Sequence, residues 1–157
     1  MSVQPSGVKV VGPDEGVRQV VLGDRQRVIL AGADTGGTIA VVEDTNPPGF
    51  GIPLHLHRRE DETFHVVAGT VEFRIAGEVV RAGPGTTVHI PRDVPHAFTV
   101  AGDAPATMRI TLTPAGLERY FAELAQFPPG PPDMARLAEV SARYGIEFRA
   151  EPDGPAA

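Results

Sequence analysis

The chain has 157 residues and no cysteine, so it can form one domain with its own core, and a disulfide framework or thiolate metal site is excluded. Its formal net charge is −6 and it has no basic run, so nucleic acid is not an expected partner. It shows neither an apolar leader segment nor an apolar stretch long enough to span a bilayer. We therefore expect a cytoplasmic protein that does not bind a membrane.

The first 112 residues alternate between short β-rich segments and turns. The predicted strands cover residues 17–22, 26–31, 37–43, 54–59, 62–68, 70–76, 78–82, 86–90, 96–101 and 106–112. Apolar and polar residues alternate strictly in 70–75 and 107–112, which indicates strands with one buried face and one wet face. Many short strands at even spacing favour an all-β sandwich or barrel.

The last third of the chain has a helical pattern. Thr113 is predicted to cap a helix that has Pro114 at its first position. The i, i+3, i+4, i+7 spacing gives this helix one apolar face, made of Leu117, Tyr120, Phe121 and Leu124. A proline-rich linker, 127–132, precedes a second helix that is capped by Asp133 and ended by Gly145.

Two short helices cannot bury a core of their own. The predicted organisation is therefore a barrel with N-terminal strands over 1–112 and a helical tail over 113–157, frayed after residue 150. The tail is expected to pack on the barrel or on a partner subunit. A mobile lid over the site is the alternative.

Ligand-type side chains are concentrated in two segments. His55 and His57 are two residues apart, so in a strand both imidazoles point to one side. Glu62 can enter the same space across a tight turn and supply an oxygen. Imidazole nitrogen with carboxylate oxygen is a ligand set for first-row divalent metals.

Segments 49–69 and 85–98 together resemble the two signature motifs of the cupin family. The first motif is matched at every fixed position, by Gly49, His55, His57, Glu62 and Gly69. The second is matched by Gly85, Pro91 and His96. Asp93 stands where the family has glycine and Val100 where it has asparagine. Aspartate holds turns and tolerates left-handed backbone, so the first departure is compatible with the motif.

The resemblance implies a jelly-roll-like antiparallel β-barrel that holds one divalent metal: Fe, Mn, Co, Ni or Zn. The implied ligands are His55, His57, Glu62 and His96. Three histidines and one glutamate leave one or two positions open on a five- or six-coordinate ion, as a catalytic site requires.

The alternation of side chains along a strand predicts the surroundings of this site. Phe64 and Val66 are an even number of residues from Glu62, and Phe98 is two residues from His96, so in a strand they point to the same side as these ligands. These three residues should therefore form an apolar pocket for a small molecule. Phe50 and Ile52 are expected at its mouth.

Parity also predicts which charged side chains face outward. His65 and His89 should lie on the outer face, as should Arg109. The charged segment 58–61 is expected to be a solvated hairpin tip.

Among cupins, a barrel with three histidines and one glutamate most resembles the quercetinase-type dioxygenases. That resemblance implies an enol- or phenol-type aromatic substrate, O2 as co-substrate, and Glu62 as both ligand and general base. The fold alone does not determine the reaction. The alternatives are a non-oxidative isomerase, lyase, decarboxylase or cyclase, a binding module without turnover, and a regulatory domain, although no helix-turn-helix pattern is visible. A homodimer paired through the N-terminal strands is also expected.

Overall fold

Two antiparallel β-sheets face each other in the structure, which is a computed structural model and describes residues 7–151. In chain order the elements are β1 (Val17–Val21), β2 (Asp24–Leu30), α1 (Gly32–Thr35), β3 (Ala40–Asn46), β4 (Gly51–His57), β5 (Asp61–Ala68), β6 (Thr70–Ile75), β7 (Glu78–Ala82), β8 (Thr87–Ile90), β9 (His96–Ala101), β10 (Ala106–Thr113), α2 (Leu117–Leu124), α3 (Met134–Arg143) and β11 (Ile146–Phe148). The larger sheet has the order β1-β2-β3-β10-β5-β8, and the smaller has the order β11-β4-β9-β6-β7. The predicted all-β class is confirmed.

Strand alternation places the core between the two sheets. In β10 the even-numbered residues from Ala106 to Leu112 are buried, and the residues between them are more exposed. Three phenylalanines from different strands meet at the centre: Phe64, Phe73 and Phe98 lie with ring centroids 5.2–6.1 Å apart. Such tilted and edge-on ring contacts stabilise a core beyond the burial of area alone. This cluster packs the two sheets against each other, and its Phe64 ring lies 6.2 Å from the ring of His96.

Helix α1 was not predicted, and it delays the start of the third strand from residue 37 to Ala40. Asp34 stabilises the turn because its carboxylate accepts a hydrogen bond from the Ala31 N–H at 3.0 Å. Gly36 then ends the helix in a left-handed conformation with φ 63°. Gly37, which was predicted to begin a strand, therefore directly follows the end of a helix.

Helix α2 begins at Leu117, so the prediction of Thr113 as its cap was wrong. Thr113 is still part of β10, where it pairs with Asp61 of β5. The Glu118 carboxylate instead accepts hydrogen bonds from the N–H groups of Gly116 and Gly32, both at 2.7 Å. Helix α3 begins as predicted, since the Asp133 carboxylate accepts from the N–H groups of Ala135 and Arg136.

The end of the described chain returns to the smaller sheet. β11 pairs with β4, with Ile146 opposite His57 and Phe148 opposite His55. The two helices contact each other through a 2.9 Å hydrogen bond between the hydroxyls of Tyr120 and Ser141. The tail is thus attached to the strand that carries two candidate ligands.

The segment that was expected to fray, after residue 150, consists largely of residues 152–157, which lie outside the described residues. Within the described part, no helix is long and apolar enough to cross a membrane.

Candidate metal centre

The four side chains implied as ligands converge between the two sheets, and all four are buried. The Nε2 atoms of His55 and His57 lie 3.1 Å apart. One carboxylate oxygen of Glu62 lies 3.2 Å from His57 Nε2, and the other lies 3.0 Å from His96 Nε2. The four ligand atoms all lie within 4.8 Å of one another. One cation could therefore be reached by all four side chains.

The strand pairing explains this convergence. β4 and β9 are neighbours in the smaller sheet, and His55 stands directly opposite His96 in their register. His57 is two residues beyond His55, so it lies on the same face of the sheet. Glu62 comes from β5 in the other sheet and completes the set from the facing side.

The outer nitrogens of two histidines are fixed by backbone carbonyls. His55 Nδ1 lies 2.8 Å from the Pro53 carbonyl oxygen, and His96 Nδ1 lies 2.9 Å from that of Val94. A carbonyl oxygen only accepts, so each Nδ1 carries the hydrogen and each Nε2 presents a lone pair to the centre. This is the tautomer that metal coordination through Nε2 requires.

His57 has a different outer neighbour. Its Nδ1 lies 3.8 Å from Glu60 Oε2, and neither atom has a hydrogen-bond partner within the described chain. Glu60 is only 5% exposed, so its placement in a solvated hairpin tip was wrong. The turn is oriented by Arg58, which points outward to the carboxylates of Glu147 and Asp93, both at 2.8 Å, and Glu60 folds inward behind His57.

Charge in the cluster favours unprotonated ligands at two of its members. Burial, with the proximity of His96 and His57, lowers the pKa of His55 to about 4. Burial acts to raise the pKa of Glu62, but the charge of His57 and the close contact with His96 outweigh it and lower this pKa to about 2.

At His57 the acidic neighbours dominate. Burial acts to lower the pKa of His57, but Glu62 and Glu60 outweigh it and raise this pKa above its ordinary value. The field of these two acids thus favours positive charge at the position where the four ligand atoms meet. Three imidazoles and one carboxylate in such a field fit a divalent first-row metal.

The backbone accommodates both residues that depart from the second motif, Asp93 and Val100. Asp93 adopts left-handed backbone, φ 67°, and its N–H donates to the His57 carbonyl at 2.7 Å. Val100 forms main-chain hydrogen bonds at this point, donating to the Phe50 carbonyl at 2.8 Å and accepting from the Gly49 N–H at 2.9 Å.

A cavity of about 370 Å³ opens beside the cluster, and His55, His57 and Glu62 are part of its wall. Phe64 and Phe98, which were placed here from their position in the strands, also line it, as does Ile52, which was expected at the mouth. Val66 does not, because it is fully enclosed by the core two residues further along β5. Phe50 does not line it either, since its ring packs beside Phe98 with centroids 6.5 Å apart.

Sequence reasoning missed two parts of the cavity wall. The first is the C-terminal tail, whose apolar side chains lining the cavity include Tyr120, Phe121, Leu124, Leu137, Ile146 and Phe148. Helical spacing identified the apolar face of α2 but not what it covers. The second part is polar and consists of Asp24, Gln26 and Asp44. Asp44 is two residues from the buried Val42 in the same strand, and this spacing could have indicated that Asp44 also faces the interior.

The side chains expected on the outer face do lie there. His65 and His89 are exposed, and their Nδ1 atoms lie 2.9 Å from the hydroxyls of Thr87 and Thr63. Arg109 donates to Glu43 at 2.8 Å on the surface.

Residues 42–113 match a family model described as "Cupin domain". Over 116 residues, 73% of the chain, the sequence is 28% identical to quercetin 2,3-dioxygenase of Bacillus subtilis (strain 168). The chain spans about a third of the length of that relative, 34%.

Two solved structures are similar in fold. KdgF from Halomonas sp. has a TM-score of 0.62 at 20% identity, covering 71% of this chain and 99% of that chain. The polyketide cyclase RemF from Streptomyces resistomycificus has a TM-score of 0.59 at 18% identity, covering 68% of this chain and 79% of the other. At these identities the likeness concerns the fold.

Proposed function

We propose that the protein is a metal-dependent enzyme of the quercetinase-like dioxygenase type, acting on a small enol- or phenol-type aromatic substrate. The match of residues 42–113 to the cupin domain model supports this proposal. The observation that carries the proposal is a cluster of three imidazoles and one carboxylate, of which His55, His57 and Glu62 line a largely apolar cavity. The similarity to quercetin 2,3-dioxygenase over 73% of the chain supports an oxidative reaction.

His55, His57, Glu62 and His96 would hold the metal ion. A first-row metal at this position supplies Lewis acidity toward a substrate oxygen and, if it is redox-active, a route for electrons to O2. The carbonyl groups of Pro53 and Val94 keep the imidazoles of His55 and His96 in a fixed orientation and tautomer.

Glu62 has a second role as the base that takes the proton of the substrate hydroxyl. Its two oxygens lie 3.2 Å and 3.0 Å from Nε2 atoms of His57 and His96, so the carboxylate belongs to the cluster to which a substrate oxygen would bind. Glu62 also faces the cavity, where a substrate hydroxyl would approach.

The cavity positions an aromatic ring and excludes water. Phe64 and Phe98 cover it from the barrel, and Tyr120, Phe121 and Leu124 cover it from α2. An apolar wall beside a single charged cluster gives affinity through burial and orientation through the cluster.

Oxygen uptake by metal-reconstituted protein on a panel of flavonols and catechols tests this proposal. We expect O2 consumption that matches substrate loss and that disappears in a His96→Ala variant. Substrate conversion without O2 uptake would replace the proposal with a non-oxidative cupin reaction. Binding without any conversion would indicate a ligand-holding module.

A further inference from the structure

A second group of polar side chains lies in the wall of the same cavity. Asp24 and Gln26 belong to β2 and Asp44 belongs to β3, strands that supply none of the four clustered ligands. Each is 4% exposed or less. Buried polar groups in an apolar wall require partners, so the partners of each group indicate its role.

Asp24 is fully occupied by neighbouring side chains. Its Oδ1 accepts from the Asn46 amide at 2.7 Å, and its Oδ2 accepts from the Gln26 amide at 2.8 Å. The side-chain Oδ1 of Asn46 in turn accepts from the Arg25 N–H at 3.0 Å. Asp24 therefore helps to hold the turn between β1 and β2 against β3.

Asp44 is not satisfied in this way. It is 2% exposed and lines the cavity, and its Oδ1 accepts no hydrogen bond from any donor in the described part of the chain. Burial raises the pKa of Asp44 well above its usual range, and the nearby charges of Asp24 and Glu62 add to the effect. One oxygen of the Asp44 carboxyl group is thus left without a partner among the described residues, in a side chain that lines the cavity.

We propose that Asp44 is a second binding point in the cavity, at which Oδ1 accepts a hydrogen bond from a hydroxyl or N–H group of the bound molecule. The bound molecule would then carry two polar ends, an oxygen directed at the His/Glu cluster and a donor directed at Asp44. The inference rests on the proposed function only in taking this cavity as the binding site. It holds whether or not the reaction consumes O2.

Affinities of phenol, aniline and anisole for the full-length zinc-loaded protein test this inference without any turnover. The three probes are similar in size, and anisole lacks the donor hydrogen. We expect phenol or aniline to bind about tenfold more tightly than anisole, the effect of one buried hydrogen bond. A preference for phenol identifies a hydroxyl as the donor recognised, and a preference for aniline identifies an N–H group; either result supports the proposal.

Two substitutions distinguish the contribution of Asp44 to binding from that of the His/Glu cluster. Asp44→Leu removes the acceptor, so the preference should fall to within about twofold. Asp44→Asn retains an acceptor oxygen and should retain the preference. Anisole affinity, compared between Asp44→Leu and the wild type, reports whether the cavity is intact, and Asp44→Ala serves as the second variant if Asp44→Leu does not fold.

Three results would overturn the proposal. The first is a donor preference that survives in both Asp44→Leu and Asp44→Ala, because it would then come from the cluster. The second is equal affinity of the wild type for all three probes. The third is no detectable binding of any of them. Because no O2 or turnover is measured, these outcomes are independent of the oxygen-uptake assay.

Discussion

At the scale of single residues, the site depends on side chains behind the ligands as well as on the ligands. Glu60 is the clearest case, because it is buried with one oxygen 3.8 Å from His57 Nδ1. A carboxylate behind a metal-bound imidazole orients the ring and raises its basicity. Glu60 would take this role toward the imidazole of His57.

Replacing Glu60 with Gln should weaken metal affinity by about 10- to 100-fold, since the carboxylate charge behind His57 is lost. Competition with a chelator of known affinity measures the effect. Glu78→Gln, on an exposed residue of β7, is the matched control and should leave affinity unchanged. Equal affinity of the Glu60→Gln variant and the wild type would show that Glu60 does not support His57.

Glu62→Gln should reduce turnover on the true substrate by about 10²- to 10⁴-fold, because the amide keeps the shape but cannot act as a base. The kcat of protein loaded to equal metal content measures this effect, and thermal unfolding shows whether the fold is retained. Full activity would remove Glu62 from the mechanism. Loss of the folded state would instead identify Glu62 as structural.

At the scale of elements, the periodicity of the sequence predicted that most strands exist more reliably than it predicted where they begin and end. The strand β10 was recognised because buried residues recur at every second position, and β4 was recognised from its two histidines two residues apart. β11 was missed because three residues are too few to show a period, and it forms only by pairing with β4. Glu60 was wrongly assigned to solvent, and Asp44 was not recognised as part of the cavity wall. The reason is related: charged residues are mostly exposed, and nothing in the local sequence showed that these two are buried.

Helix α2 should contribute to stability as an integral part of the fold. Leu117 is fully buried, so Leu117→Ala is expected to lower the free energy of unfolding by about 2–5 kcal/mol. Arg119→Ala, on the exposed side of the same helix, is the control and should change it by less than about 0.5 kcal/mol. Denaturant unfolding compares the two. Similar small effects would mean that α2 is a loosely attached lid.

At the scale of the whole molecule, the larger sheet ends in an edge strand with apolar side chains. β1 is the terminal strand, and its Val17 and Val20 are 64% and 59% exposed. Exposed apolar edge strands favour pairing with another chain. We propose a homodimer formed through this edge.

Light scattering should give twice the chain mass for the wild type and the single chain mass for Val20→Lys, because lysine blocks edge pairing. Val79→Lys is the control, since Val79 is 62% exposed on the edge strand of the other sheet. A monomeric wild type at micromolar concentration, or a dimer that persists in Val20→Lys, would contradict this interface.

The metal content of protein purified without chelator shows whether the four clustered side chains bind an ion. We expect one divalent transition-metal ion per chain in the wild type and none in the His55→Ala, His96→Ala double variant, which lacks two of the four clustered side chains. His65→Ala, which alters an exposed histidine outside the cluster, should keep its metal. Stoichiometric metal in the double variant, or a wild type that binds none when divalent metals are supplied, would show that the cluster is not a metal centre.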